Sequence, residues 1–365
     1  MTDLPQKLKK LIRQDVQSMH AYAVQPSAGL VKLDAMENPF GLPPDLQDKL
    51  GQRLGHLDLN RYPDARVNDL RDALAEQDGM PAGYKLMLGN GSDELISLVA
   101  MACKVPGASV LAPVPGFVMY AMSAQLQGLP FHGVPLTADF ELDESAMLSA
   151  IRQHRPSITF LAYPNNPTAN LWDDAVIERI IAEVDKQGGL VVMDEAYQPF
   201  AARSWLTKLR AAPQAFGNVL LMRTLSKFGL AGVRVGYMMG PRALIEEIDK
   251  VRPPYNVSVL NYECALFALE HAAIFAAQAT EIKAQRATIL VALAALPKVR
   301  AWNSEANMIL IRVPDAARTF EGMKSRGVLV KNVSGLHPLL ANCLRLTVGT
   351  QQENKRMLDA LRESL

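Results

Sequence analysis

The sequence predicts an α/β chain, with a mostly parallel central sheet covered by helices and a smaller α+β unit at the C-terminal end. Two observations carry that expectation. From about Arg66, short strand-like apolar runs alternate with segments of helical spacing, the pattern of strands joined by crossover helices. After "PPYNVS" the texture changes to an Ala-rich helical region over residues 259–296, followed by three further apolar runs with intervening or closing helices. At 365 residues the chain is beyond the size at which one core keeps growing, so two unequal domains are expected. We place an N-terminal arm at residues 1–30, a large domain at 31–256 and a small C-terminal domain at 257–365.

The arm opens with "MTDLPQKLKKLIRQDV", a short amphipathic helix whose basic residues interleave with apolar ones, so it does not resemble a signal peptide. The stretch "QPSAG" then breaks the periodicity. "VNDLRDALAEQDG" has helical spacing and ends in Gly79, "YKLML" is strand-like, and "SDELISLVAMACKV" is helical again. Further runs at "SVLAPV", "SITFLAY", "GLVVMD", "NVLLMRT" and "VGYMMG" read as strands, separated by helical segments such as "DDAVIERIIAEVDKQ". Such alternation implies a sheet covered on both faces. "MILIRV", "GVLVKN" and "CLRLTVG" supply the strands of the smaller unit.

With 49% hydrophobic residues, 21% charged residues and a net charge of +1, the chain has no global field that would attract nucleic acid or an anionic membrane. No apolar stretch is long enough to span a bilayer. Cys103, Cys264 and Cys343 are scattered without C-x-x-C spacing, which fits a reducing cytoplasm and argues against a disulfide framework or a zinc site. A cytoplasmic protein without a metal is expected.

In open parallel sheets ligands bind beyond the carboxyl ends of the strands, and four segments there carry chemistry. In "LGNGSDELISL", Ser92, Asp93 and Glu94 open a helix whose N-terminus suits a phosphate; the plain alternative is a helix capped by Ser92. In "LAYPNNPTAN", Asn166 is either a ligand-facing amide or a turn residue. "GLVVMDEAYQPF" delivers Asp194 at the end of a buried strand, with Tyr197 close behind. That carboxylate is a cap, a structural ion pair, or the partner of a cationic ligand group such as a protonated ring nitrogen. In "TLSKFGLAGVRVG", Lys227 follows a strand among small and apolar residues, surroundings that lower an amine's pKa and make it nucleophilic; otherwise it is a surface lysine. A lysine for a Schiff base, a carboxylate for a ring nitrogen, and hydroxyls, an arginine and a helix N-terminus for a phosphate together match what pyridoxal 5'-phosphate needs.

The ordered segments "KLDAMENPFG", "RYPD", "GNGSDE", "YPNNPTAN", "MDEAY", "TLSKFGLAGVRVGY" and "CLRLTVGT" span nearly the whole chain. Through them the chain resembles the fold-type I aminotransferases, and more closely the histidinol-phosphate aminotransferases of histidine biosynthesis. The resemblance implies that Lys227 holds pyridoxal 5'-phosphate covalently and moves the substrate's proton, and that Asp194 partners the pyridine nitrogen. It further implies that Tyr197 and Asn166 bind the ring oxygen and that Phe117 of "PVPGFVMY" stacks on the ring. The backbone of Ser92 and Asp93, with Thr224, Ser226 and Arg234, then forms the phosphate cup. Tyr62 is implied to reach the cofactor phosphate of the neighbouring subunit, which makes the protein a homodimer.

For the substrate, the resemblance implies that Arg345 grips an acidic group, with Tyr22 and Lys331 turned towards the phosphate of histidinol phosphate and 2-oxoglutarate or glutamate as the second substrate. Three positions depart from the family pattern: Ala169 replaces a glycine, Phe117 a tyrosine and Lys331 an arginine. The competing readings are an aromatic or broad-specificity amino acid aminotransferase, a phosphothreonine-type decarboxylase, and a non-catalytic ligand sensor with an aminotransferase-like domain.

Overall fold

The apolar runs become strands buried on both sides. The computed structural model describes residues 4–19 and 25–365. After a two-residue strand β1 (Val31–Lys32), the central sheet comprises β2 (Tyr84–Gly89), β3 (Val110–Val114), β4 (Phe131–Pro135), β5 (Ile158–Ala162), β6 (Leu190–Asp194), β7 (Val219–Thr224) and β8 (Gly236–Pro241). They lie in the order β2-β8-β7-β6-β5-β3-β4. Only β8 runs against the rest.

Alternate residues of each central strand enter different cores, because successive side chains point to opposite faces. Val191 and Met193 of β6 join the core on one face, with Trp172 and Ile177, whereas Val192 joins the core on the other, with Leu95 and Val99. Both faces are dry, which is why these strands read as unbroken apolar runs. The edge strand β4, with the sequence FHGVP, is only partly buried and carries no such run, so sequence patterning missed it.

A second, antiparallel sheet of order β12-β13-β10-β9 is formed by β9 (Arg300–Ala301), β10 (Met308–Arg312), β12 (Lys331–Asn332) and β13 (Cys343–Thr347). The run "GVLVKN" is not one strand. It splits at Val330 into β11 (Val328–Leu329), which pairs with β1, and β12, which pairs with β13.

Residues 31–36, expected to begin the large domain, pack instead with the C-terminal unit. Val31, Leu33 and Met36 share a core with Ile309, Ile311, Leu344 and Leu346. The Ala-rich region over 259–296 is helical and consists of two helices, Val259–Glu270 and Ala272–Ala294, bent by 77° at His271. The first packs its Tyr262, Ala265 and Leu266 into the core of the central sheet, and the second sends Ile282, Ile289 and Leu293 into the C-terminal core. Packing on two different cores produces the bend, and no glycine or proline marks it. The break between the two helices thus marks where the chain passes from one core to the other. Among the described residues no single helix is long and apolar enough to cross a membrane.

Leu33 is 2% exposed and its partners come from the far end of the chain. Leu33→Ala is expected to destabilise the protein by roughly 2–5 kcal/mol in urea unfolding, the usual cost of emptying a core leucine site. A loss of only a few tenths of a kcal/mol would detach residues 31–36 from that core.

Candidate active site

The direction of the strands gathers the polar residues of the sheet at one edge. β2, β3, β5, β6 and β7 all present their carboxyl ends there, and the antiparallel β8 begins there, so Arg234 arrives at the same edge from the opposite direction. A cavity of about 580 Å³ opens at this edge, lined by Ser92, Asp93, Phe117, Asn166, Asp194, Tyr197, Thr224, Ser226, Lys227, Arg234 and Lys331. The segment containing Lys32, Asp34, Ala35 and Glu37 closes it from the side of the C-terminal unit.

Lys227 stands in the single turn that follows β7, and its Nζ donates to the Ala35 carbonyl at 3.0 Å. Loss of solvation, with the nearby charge of Arg345 adding to it, lowers this amine to about 8. A useful fraction is then neutral near physiological pH, which a nucleophile and base requires.

Asp194 is the last residue of β6 and is buried. Its Oδ2 accepts from the Tyr120 hydroxyl at 2.7 Å and its Oδ1 from the Ala196 N–H at 3.0 Å. Burial pushes its carboxyl up to about 6 against the pull of those two donors. No protein cation pairs with it among the described residues. The next residue differs: Glu195 lies under the site, its Oε2 2.7 Å from Arg223, whose guanidinium also meets Asp78 at 2.7 Å.

Asn166 links two predicted residues, since its Nδ2 donates to the Tyr197 hydroxyl at 3.0 Å and its Oδ1 accepts from Arg345 at 2.8 Å. Burial keeps the Tyr197 phenol protonated by raising its pKa far above the ordinary value. Arg345 is itself buried on β13, donates also to the Asp34 carbonyl at 2.7 Å, and reaches the cavity through Asn166. Lys331 stands directly opposite it in the β12–β13 register. Two cations at facing positions of one ladder repel unless an anion lies between or beside them.

The donor set at the other end is built by close approach. Gly91, with φ 79°, precedes the Ser92–Ala102 helix, and Ser92 is its first helical residue with no side-chain cap, so Ser92 does not act as the N-cap. The N–H groups of the first helical turn lack intrahelical partners and point outward with the positive end of the dipole. A Cβ on Gly91 would come within 2.6 Å of the Arg234 guanidinium, and one on Gly236 within 2.6 Å of the Ser92 nitrogen. Arg234 holds a left-handed φ of 56°, with its guanidinium 3.3 Å from Ser226 Oγ and 3.4 Å from Asp93 Oδ2. Thr224 Oγ1 lies 3.0 Å from Ser226 Oγ. Two hydroxyls, an arginine and a helix N-terminus thus converge, a set whose chemistry suits a phosphate.

Among the described residues, Tyr62 is a predicted residue that lies away from this cavity, and Arg345 is not in its lining. Tyr62 is 76% exposed and stacks on Tyr255, ring centroids 4.6 Å apart, beside the exposed Leu59 and Leu260. Tyr22 lies outside the described residues. Ala169, where the family pattern has glycine, is fully buried with a left-handed φ of 63°, which explains the usual preference. Sequence reasoning missed Tyr120, although it lies three residues after Phe117 and hence about one helical turn away. It also assigned no role to the Lys32–Glu37 segment, where Lys32 bridges Glu37 at 2.5 Å and Asp34 at 3.2 Å.

An amine lowered to about 8 loses its proton well before an ordinary lysine at 10.5, so the reactive neutral form accumulates as pH rises through 8. The rate of acylation of Lys227 in cofactor-free protein, followed by mass spectrometry, is expected to rise with a midpoint near 8. A midpoint near 10.5 would contradict the desolvated environment.

The family profile for class I and II aminotransferases matches residues 28–361. The histidinol-phosphate aminotransferase of Polaromonas naphthalenivorans (strain CJ2) is 73% identical over 362 residues, covering 99% of this chain and 98% of that one. That of Paracidovorax citrulli (strain AAC00-1) is 66% identical over 370 residues, covering 100% of both. The solved histidinol-phosphate aminotransferase of Sinorhizobium meliloti, in complex with pyridoxal-5'-phosphate, has the same fold, with a TM-score of 0.82 at 24% identity and 97% of each chain covered. This chain belongs to the class I and II aminotransferase family.

Proposed function

We propose that the protein transfers the amino group of L-histidinol phosphate to 2-oxoglutarate, giving imidazole-acetol phosphate and glutamate in histidine biosynthesis. It is a pyridoxal 5'-phosphate-dependent transaminase. The observation that carries the reading is the pairing, on one cavity wall, of a lysine lowered to about 8 with a buried carboxylate that has no protein cation among the described residues. Relatives that carry the histidinol-phosphate aminotransferase name at 73% and 66% identity favour this substrate over aromatic amino acids.

When bound, pyridoxal 5'-phosphate supplies an electron sink for the charge left on a substrate carbon that loses its proton. The remaining work belongs to the chain. Lys227 would be the covalent anchor, and its Nζ the base that takes the Cα proton of the substrate and delivers it to the C4' carbon of the cofactor. Asp194 is the anionic partner for the ring nitrogen, with Tyr197 and Asn166 as donors to the ring oxygen and Phe117 against the ring face. Ser92, Asp93, Thr224, Ser226 and Arg234 hold the phosphate. Arg345 and Lys331, opposite each other on β13 and β12, are the cations for the acidic groups of the substrates, the phosphate of histidinol phosphate and a carboxylate of 2-oxoglutarate. Tyr22 is assigned to the same substrate phosphate.

The stacked, exposed Tyr62 fits a residue that acts on a second copy, so the enzyme is read as a homodimer with shared sites. Three free cysteines fit a cytoplasmic location.

Lys227→Ala is expected to lower kcat by roughly a hundred- to ten-thousandfold, with glutamate formed from histidinol phosphate and 2-oxoglutarate as the readout. Wild-type turnover in that variant would remove Lys227 from the mechanism. Phenylalanine should replace histidinol phosphate only poorly, and Lys331→Ala should raise KM for histidinol phosphate roughly tenfold with kcat little changed. Equal rates with both donors would favour a broad-specificity enzyme. Mixing Lys227→Ala chains with Tyr62→Ala chains should restore activity lost in each alone, because one hybrid site keeps both residues; additive low activities would refute the shared site.

A further inference from the structure

We infer that Tyr120 is a positioning residue for Asp194, its hydroxyl fixing the orientation of the carboxylate and holding negative charge on it at the cavity wall. The inference rests on the reading of Asp194 as the partner of the cofactor's ring nitrogen. Tyr120 lies in the Met119–Gln127 helix, 2% exposed, with its hydroxyl 2.7 Å from Asp194 Oδ2. The opposite oxygen accepts from the Ala196 N–H at 3.0 Å. These are the hydrogen bonds to the carboxylate among the described residues, so one side chain and one backbone group set its plane. Tyr120 is held in turn by its ring, stacked on Phe160 with centroids 4.4 Å apart and planes 5° apart, and meeting Phe117 edge-on at 5.6 Å.

Burial keeps the phenol protonated, so it acts as a donor throughout the working pH range. A donor to an anion favours the charged form. Without it the carboxylate binds a proton more tightly, and a proton shared with a ring nitrogen moves towards Asp194. A buried carboxylate with one side-chain donor depends on that donor more than an exposed one would, because water cannot take its place.

Tyr120→Phe keeps the stacking ring and removes the hydroxyl. Wild type and variant would be loaded with pyridoxal 5'-phosphate carrying nitrogen-15 in the ring, and the nitrogen shift recorded by NMR beside kcat and KM. Wild type is expected to give a protonated ring nitrogen. In Tyr120→Phe the shift should move towards the unprotonated value, with kcat roughly ten- to a hundredfold lower, the worth of one hydrogen bond to a charged group. Ile245→Ala, a buried position on another helix of the same core, is the packing control; it should lower the melting temperature while leaving the nitrogen shift near wild type. An unchanged shift in Tyr120→Phe overturns the inference and leaves the role of Asp194 standing. A shift moved equally by Ile245→Ala overturns it too, because packing would then account for the effect. An unprotonated nitrogen in wild type overturns the reading of Asp194 and the inference with it.

Discussion

The constraint on which the site depends is an uncompensated negative charge at the end of β6. Among the described residues, Asp194 is buried, receives two hydrogen bonds and has no cation beside it, whereas Glu195, one residue on, is paired with Arg223. Successive residues leaving a strand face opposite ways, so one carboxylate enters the cavity and the other enters the packed layer beneath it. The lower one is neutralised inside the protein, with Arg223 also held by Asp78 and Asp78 by the Tyr237 hydroxyl. The upper one is left for a ligand. Since burying a lone carboxylate is costly, the site is completed when a cationic group arrives, and a protonated pyridine nitrogen is such a group.

Lys227 presents the converse case. Its amine is desolvated and faces the guanidinium of Arg345 electrostatically, so its proton is held loosely. The two shifts move towards each other, the acid up to about 6 and the amine down to about 8. Groups driven in this way mark places where charge is meant to move during a reaction. The end of the cavity at the Ser92–Ala102 helix obeys a different rule, because its donors are fixed by backbone geometry. Gly91 and Gly236 lack the Cβ atoms that would hold Arg234 and the Ser92–Ala102 helix apart.

What the sequence displayed follows from the same physics. Strands β5, β6 and β7 were legible because both faces are dry, and the residues just beyond them were legible because strand ends are where such sheets bind ligands. Asp194, Asn166, Thr224, Ser226, Lys227 and Arg234 meet in one cavity accordingly. Features set by distant packing were not legible. The partnership of Val31–Met36 with the C-terminal core joins opposite ends of the chain, and the bend at His271 arises because two cores compete for one helical stretch. Neither leaves a local mark. Tyr120 was hidden for another reason: a tyrosine on an apolar helix face looks like core, and only the third dimension brings its hydroxyl to Asp194.

The long partnership of residues 31–36 with the C-terminal unit bears on the cavity as well as on stability. This segment brings the Ala35 carbonyl to Lys227 and the Asp34 carbonyl to Arg345. One short piece of backbone thereby contacts both the reactive amine, which belongs to the central sheet, and the arginine of β13. Arg345 in turn touches Asn166, and Asn166 touches Tyr197. Lys227, Arg345, Asn166 and Tyr197 are therefore linked through this segment by direct hydrogen bonds. A displacement of Arg345 would break its bonds to Asn166 and to the Asp34 carbonyl.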